Sequence, residues 1–113
     1  MRCLRLAHVN LRVDRLEDAV RFYGGVLGLE SIPRGERSGR GAWFRVGDSE
    51  IHLTEDSTPQ PSSQRHFALL VDDLVAARRA VEAAERKIEK EDEGRFWTRD
   101  PAGNRIEIVQ AGG

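Results

Sequence analysis

Residues 8–23 (HVNLRVDRLEDAVRFY) align without a gap on residues 66–81 (HFALLVDDLVAARRAV). Seven of the sixteen positions are identical: His8/His66, Leu11/Leu69, Val13/Val71, Asp14/Asp72, Leu16/Leu74, Ala19/Ala77 and Arg21/Arg79. A second match follows in the same order, at an offset of 55 instead of 58: Ser49-Glu50-Ile51-His52-Leu53-Thr54 over Asn104-Arg105-Ile106-Glu107-Ile108-Val109. Each copy of this second match follows an aromatic pair (Trp43-Phe44, Phe96-Trp97) and a turn containing Gly and Asp. Two matches in one order make the chain a duplication, so any fold proposed for one half must serve the other.

Each half reads as strand, helix, then further strands. Val9, Leu11 and Val13 alternate with His8, Asn10 and Arg12, the period of a half-buried strand over 8–13. Asp14 is expected as the N-cap of the helix that follows, with Glu17 completing a capping box. Leu16, Ala19, Val20, Tyr23 and Val26/Leu27 recur at helical spacing, and Gly28 is the expected stop. The Gly24-Gly25 pair weakens the last turn of that helix. Strands are expected at 29–34, 42–47 and 50–54, with an exposed Arg-rich loop from Gly35 to Gly41 and a Gly47-Asp48 turn. The second half predicts a strand at 66–71, a helix from Asp73 to Glu85, a weak strand near 87–90, and strands at 95–99 and 104–109. Asp100-Pro101-Ala102-Gly103-Asn104 carries strong turn chemistry. The expected class is therefore α+β: two repeated βαβββ modules, one over 1–54 and one over 66–113, joined by a Pro- and Ser-rich linker, 55–65, in a single domain.

Alternation also sorts side chains by face. Val9, Leu11, Val13, Ile51, Leu53, Phe67, Leu69, Val71, Ile106 and Ile108 are expected to pack toward the helices. His8, His52, His66 and Glu107 then face the other way, alongside Asn10, Arg12, Glu50, Thr54, Arg105 and Val109. All three histidines and the glutamate fall into two repeat-related pairs, His8 with His66 and His52 with Glu107. A single histidine on a polar strand face is usually a solvated side chain, but that reading does not explain why every histidine sits at a repeat-matched position. Imidazoles with one carboxylate suit a divalent metal such as Zn, Ni, Co, Mn or Fe.

Other signals weigh less. Asp14, Asp72 and Asp73 are expected to act in helix capping, and the run Glu85 to Glu93 as a solvated helix end and loop. Trp43, Phe44, Phe96 and Trp97 suit a core or a pocket wall equally well. Cys3, the one cysteine, excludes an intrachain disulfide and a thiolate metal cluster. The charge balance, 18 basic against 19 acidic residues, speaks against a nucleic-acid partner. No apolar run long enough to span a membrane and no apolar signal segment after Met1 is present, so a cytoplasmic protein is expected. No glycine-rich phosphate loop or nucleophile elbow occurs.

The chain resembles the vicinal oxygen chelate superfamily, also called the glyoxalase/bleomycin resistance/dioxygenase superfamily. The resemblance rests on His8-Val9-Asn10-Leu11-Arg12-Val13, Phe22-Tyr23 with Leu27-Gly28-Leu29, Ile51-His52-Leu53, His66-Phe67-Ala68-Leu69 and, most specifically, Asp100 through Glu107. It implies paired modules whose curved mixed sheet forms a cup around a divalent metal, with the helices on the outer face. It also implies a homodimer, in which modules can be exchanged between chains. The family's ligand positions fall on His8, His66 and Glu107, a triad like that of fosfomycin resistance enzymes and extradiol dioxygenases. The fourth position is His52, where bacterial glyoxalase I has a glutamate and methylmalonyl-CoA epimerase a glutamine. His52 is thus expected as the fourth metal ligand or as the catalytic base, a role within reach of imidazole chemistry.

The expected function is a metal-dependent, glyoxalase-type enzyme, lyase or isomerase, acting on a small substrate with vicinal oxygens. Two alternatives stand beside it: a non-catalytic dimer that binds a small molecule or antibiotic, as bleomycin resistance proteins do, and an extradiol-type dioxygenase. Retention of all four ligand positions favours the enzyme.

Overall fold

The computed structural model describes residues 1–35 and 37–112. Glu36, inside the expected Arg-rich loop, and Gly113, at the end of the second module, lie outside the described residues. The chain divides into two compact units, Met1–Thr58 and Pro59–Gly113.

In the first unit the strands are β1 (His8–Val13), β2 (Glu30–Ile32), β3 (Gly41–Val46) and β4 (Ser49–Glu55). Helix α1 (Leu16–Val20) and a π-helical segment (Arg21–Val26) lie between β1 and β2. The sheet order is β1-β4-β3-β2, with β1 parallel to β4 and the other pairs antiparallel. The second unit repeats this with β5 (His66–Val71), α2 (Leu74–Ala83), β6 (Lys90–Asp92), β7 (Arg95–Arg99) and β8 (Arg105–Gln110), in the order β5-β8-β7-β6. Both halves are βαβββ and the class is α+β, as the repeat predicts.

The core of each unit lies between sheet and helix. Val13, Phe44, Ile51 and Leu53 pack with Leu16, Ala19, Phe22 and Tyr23; Leu69, Phe96, Ile106 and Ile108 form the second core with Val81. Each of the larger chains contributes on the order of 1.5–3 kcal/mol through burial. Phe44 and Phe96 belong to these cores. Trp43 and Trp97, one residue away on β3 and β7, necessarily point to the opposite face.

Several local expectations are corrected. The N-cap of α1 is Arg15, not Asp14, and its side chain makes no capping bond. The Leu16 N–H donates instead to Glu55 Oε2 at 2.9 Å, so a carboxylate from the end of β4, a residue expected in the linker, does the capping. A cap supplied across the parallel β1–β4 pair leaves no local trace in the sequence. In the second unit Asp73, not Asp72, caps α2, accepting from the Ala76 N–H at 3.1 Å.

The single helix expected up to Leu27 changes to π-helical winding at Arg21, where the Leu27 N–H reaches back to the Phe22 carbonyl at 2.9 Å. The wider turn accompanies burial of both Phe22 and Tyr23 at consecutive positions, and Gly24 allows the close approach: a Cβ there would lie 3.3 Å from Phe44 Cε1. Gly28, at φ +71°, closes the segment as expected. Helix α2 ends at Ala83, two residues before the expected Glu85, which instead takes a left-handed φ of 60° while the Arg86 N–H bonds back to the Val81 carbonyl. The run Glu85 to Glu93 is not all solvated loop either. Lys90–Asp92 is strand β6, displaced from the 87–90 expected, and pairs with Trp97, Phe96 and Arg95 of β7.

Candidate functional site

In each unit the sheet face away from the helix gathers polar and aromatic residues. On the first sheet, His8 stands opposite Glu50 in the β1–β4 ladder, Asn10 opposite His52, and Trp43 opposite His52 across β3–β4. These neighbours form a stacked column. The Trp43 and His52 rings lie 3.9 Å apart at 3°, and the His52 and His8 rings 4.1 Å apart at 16°. The Arg37 guanidinium sits 5.0 Å from the Trp43 ring centroid, beyond the end of the column.

His52 is 8% exposed and held in place on three sides, because its Nε2 also meets Glu50 Oε1 at 2.8 Å. That bond is the main reason the Glu50 carboxyl titrates below its ordinary value. An ionised carboxylate only accepts, so His52 Nε2 carries the proton of this bond, and in the neutral ring Nδ1 holds the lone pair. Nearby, Thr54 Oγ1 donates to Asn10 Oδ1 at 3.0 Å.

On the second sheet, His66 Nε2 and Glu107 Oε1 lie 3.0 Å apart, and Arg95 Nη1 donates to Glu107 Oε2 at 2.8 Å. Glu107 is 8% exposed. His66 Nδ1 lies 3.0 Å from the Gln64 carbonyl oxygen and 3.3 Å from Arg105 Nη1. With the proton on Nε2 the ring donates to Glu107 and Nδ1 accepts from Arg105; with the proton on Nδ1, donated to Gln64, the Nε2 lone pair turns toward Glu107. In the second tautomer two acceptors 3.0 Å apart face one another, an arrangement that a cation satisfies. Two ligands bound to one ion at about 2.1 Å and roughly at right angles are also about 3 Å apart. The His66–Glu107 pair therefore fits a divalent metal in donor chemistry, in spacing, and in the carbonyl contact that fixes the ring.

The first unit fits differently. An imidazole lone pair lies in the ring plane, so two ligating rings have planes that meet at the ion. The nearly parallel planes of His8 and His52 meet only far beyond a bond length of about 2 Å. As they stand, at most one of these rings ligates a given ion unless the other turns. Among the described residues, neither unit by itself gathers three His, Cys, Asp or Glu side chains into a metal-holding group.

The structure thus brings together His8 with His52, and His66 with Glu107. Face alternation already grouped Glu50 and Arg105 with the candidate residues but gave them no role. Glu50 fixes His52, two residues along the same strand face. Arg95 and Trp97 were not placed with the candidates, although Trp97 stands opposite Glu107 in the β7–β8 ladder. The Trp97 Nε1–H is buried and makes no hydrogen bond to any described residue. Leaving a buried donor unpaired costs on the order of 1–3 kcal/mol. Cys3 is exposed. Among the described residues no helix is long and apolar enough to cross a membrane.

Comparison with known proteins bears on the whole chain. The structure superimposes on a Bacillus anthracis protein described as glyoxalase family with a TM-score of 0.86 and 28% identity, covering 99% of this chain and 100% of that one. A lactoylglutathione lyase from Agrobacterium tumefaciens gives a TM-score of 0.72 at 27% identity, over 95% and 93% of the two chains. A mutant of FosX, a fosfomycin resistance protein of Listeria monocytogenes crystallised with Mn(II) and a dihydroxypropylphosphonic acid, gives 0.84 at 15% identity, over 98% and 95%. That last likeness speaks to the fold alone. A search of curated proteins by sequence gives no match. A family model for the Glyoxalase/Bleomycin resistance protein/Dioxygenase superfamily matches residues 5–108, and the chain belongs to that superfamily.

Proposed function

We propose that this protein is a metal-dependent enzyme of the glyoxalase type, a lyase or isomerase acting on a small molecule with vicinal oxygens. The observation that carries the reading is the His66–Glu107 pair: a buried carboxylate and an imidazole nitrogen held 3.0 Å apart, with the ring's other nitrogen on a carbonyl. His8, His66 and Glu107 are the proposed metal ligands. Imidazoles with a carboxylate suit Zn, Ni, Co, Mn or Fe. Such an ion, when bound, supplies Lewis-acid stabilisation of negative charge developing on a substrate oxygen.

Of the two roles expected for His52, fourth ligand or base, its surroundings favour the base. Glu50 holds the Nε2 proton at 2.8 Å, Trp43 and His8 clamp the ring between them, and Nδ1 keeps a lone pair with which to accept a proton from carbon or oxygen. Arg95 neutralises the outer oxygen of Glu107, so one carboxylate oxygen is left for a ligand role. The proposed protein is a cytoplasmic homodimer, and sedimentation analysis checks the dimer.

Elemental analysis of untagged protein purified without chelator tests the reading, together with turnover of small hydroxy-ketones. Metal should be lost in His66→Ala and Glu107→Gln but kept in His52→Gln, whose turnover should fall by about 10²–10⁴-fold. Iron or manganese as the resident ion would turn the assignment toward an extradiol-type dioxygenase. A wild-type protein that neither carries nor takes up metal would overturn the proposal in favour of a non-catalytic small-molecule binder.

A further inference from the structure

The buried Trp97 Nε1–H belongs to no hydrogen bond among the described residues, and an exposed cation lies beside the ring. Lys90, opposite Trp97 in the β6–β7 ladder, places its ammonium 5.1 Å from the indole centroid. Among the described residues that ammonium has no carboxylate partner, whereas the neighbouring cations do. Arg95 is paired with Glu107, and Arg99 and Arg105 are both paired with Glu89. Arg105 also lies 5.5 Å from the Trp97 centroid. Cations from the strands on either side therefore attend one tryptophan whose polar edge is unsatisfied.

The carboxylates on this part of the sheet do not fill that role. Glu107 accepts from Arg95, with His66 at its other oxygen, and Glu89 accepts from Arg99 and Arg105. Asp92, two residues along β6, stands opposite Arg95 rather than Trp97. None of these carboxylates accepts from the indole N–H.

We propose that Trp97 and Lys90 form an oxyanion subsite: the indole N–H donates to an oxygen of a carboxylate or of a phosphoryl or phosphonyl group, and the Lys90 ammonium pairs with its charge. A neutral acceptor would engage the indole alone; an oxyanion also gains a charge-assisted bond from the lysine. Lys90 is exposed and its stem flexible, so it can lift from the ring to admit the ligand. Resting on the enzyme reading given above, the substrate's anionic end binds here, in the unit that carries His66 and Glu107.

The test uses the metal-free full chain labelled with ¹⁵N, so that its outcome does not depend on metal or turnover. The two tryptophans give two indole N–H resonances, assigned with Trp97→Phe. Inorganic phosphate, methylphosphonate and acetate are titrated separately. At least one should shift the Trp97 resonance saturably while leaving that of Trp43 in place, and the ion that does so tells phosphoryl-type ligands from carboxylates. Lys90→Met, a change at an exposed position, should weaken that binding about tenfold or more, and Lys90→Arg should restore most of it. If none of the three anions moves the Trp97 resonance, or if binding survives Lys90→Met unchanged, the subsite does not exist. A wild-type protein that neither carries nor takes up metal, with this titration intact, would overturn only the enzyme reading.

Discussion

Replacing Asp100 by Ala should destabilise the protein by about 3 kcal/mol, although Asp100 lies in a turn. Its side chain is buried, and one oxygen accepts from the Ala102 and Asn104 backbone N–H groups, each at 2.9 Å. The other oxygen accepts from Asn104 Nδ2 at 2.9 Å. With each hydrogen bond contributing about 1 kcal/mol net, three lost at once set the scale. In a chain of this length that lowers Tm by roughly 10 °C. Asp100→Asn keeps an acceptor for the two backbone donors, and Asn104 can flip its amide to meet the new NH₂ group, so this variant should lose only about 1 kcal/mol. The turn joins β7 to β8 and fixes the register that places Trp97 opposite Glu107. Differential scanning calorimetry of the three proteins at neutral pH measures the effect. A Tm within about 3 °C of wild type for Asp100→Ala, or equal losses for the Ala and Asn variants, would refute the hydrogen-bond argument.

Two further outcomes follow from contacts between distant residues. Glu55→Ala should cost about 1 kcal/mol in urea denaturation by removing the carboxylate that caps Leu16, and Asp14→Ala should cost far less, the reverse of what a local capping box would give. The Glu89 carboxyl is held below its ordinary value of 4.5, chiefly by its hydrogen bond from Arg99 and next by that from Arg105. Because its folded-state value is depressed, the stability it contributes is present above pH 4.5 and is lost as pH falls through the folded value. Glu89→Gln should therefore flatten the decline of Tm between about pH 4.5 and pH 3; an unchanged acid limb would show that these ion pairs contribute nothing to it.

Much of this protein is written locally. The duplication shows in residues 8–23 and 66–81, and it fixes two βαβββ units. A period of two places Ile51, Leu53, Ile106 and Ile108 in the cores and His52 and Glu107 on the other sheet faces, because alternation is a property of the extended chain itself. Residues 8–13 and 66–71 bound their strands without error, and Asp73 was legible as a cap, since a cap three residues from its donor is local information.

What alternation cannot supply is the neighbour across the ladder. His52 meets His8 because β1 runs parallel to β4, an order set by how the whole sheet packs, and it meets Trp43 across the β3–β4 hairpin. The same long-range pairing brings Glu55 to the start of α1 and His66 to Glu107, whereas Arg95 reaches Glu107 and Lys90 reaches Trp97 across hairpins. The π-helical turn at Phe22 and Tyr23 belongs with these, since burial of both aromatics, with Gly24 close against Phe44, is a tertiary demand that overrides helical spacing. The sequence by itself determined the class of each element and the face of each side chain, because those follow from the chain's own period. Only the tertiary structure decided which side chains touch across the sheet, because strand order and the pairing of β1 with β4 and of β5 with β8 arise from contacts between residues some forty positions apart.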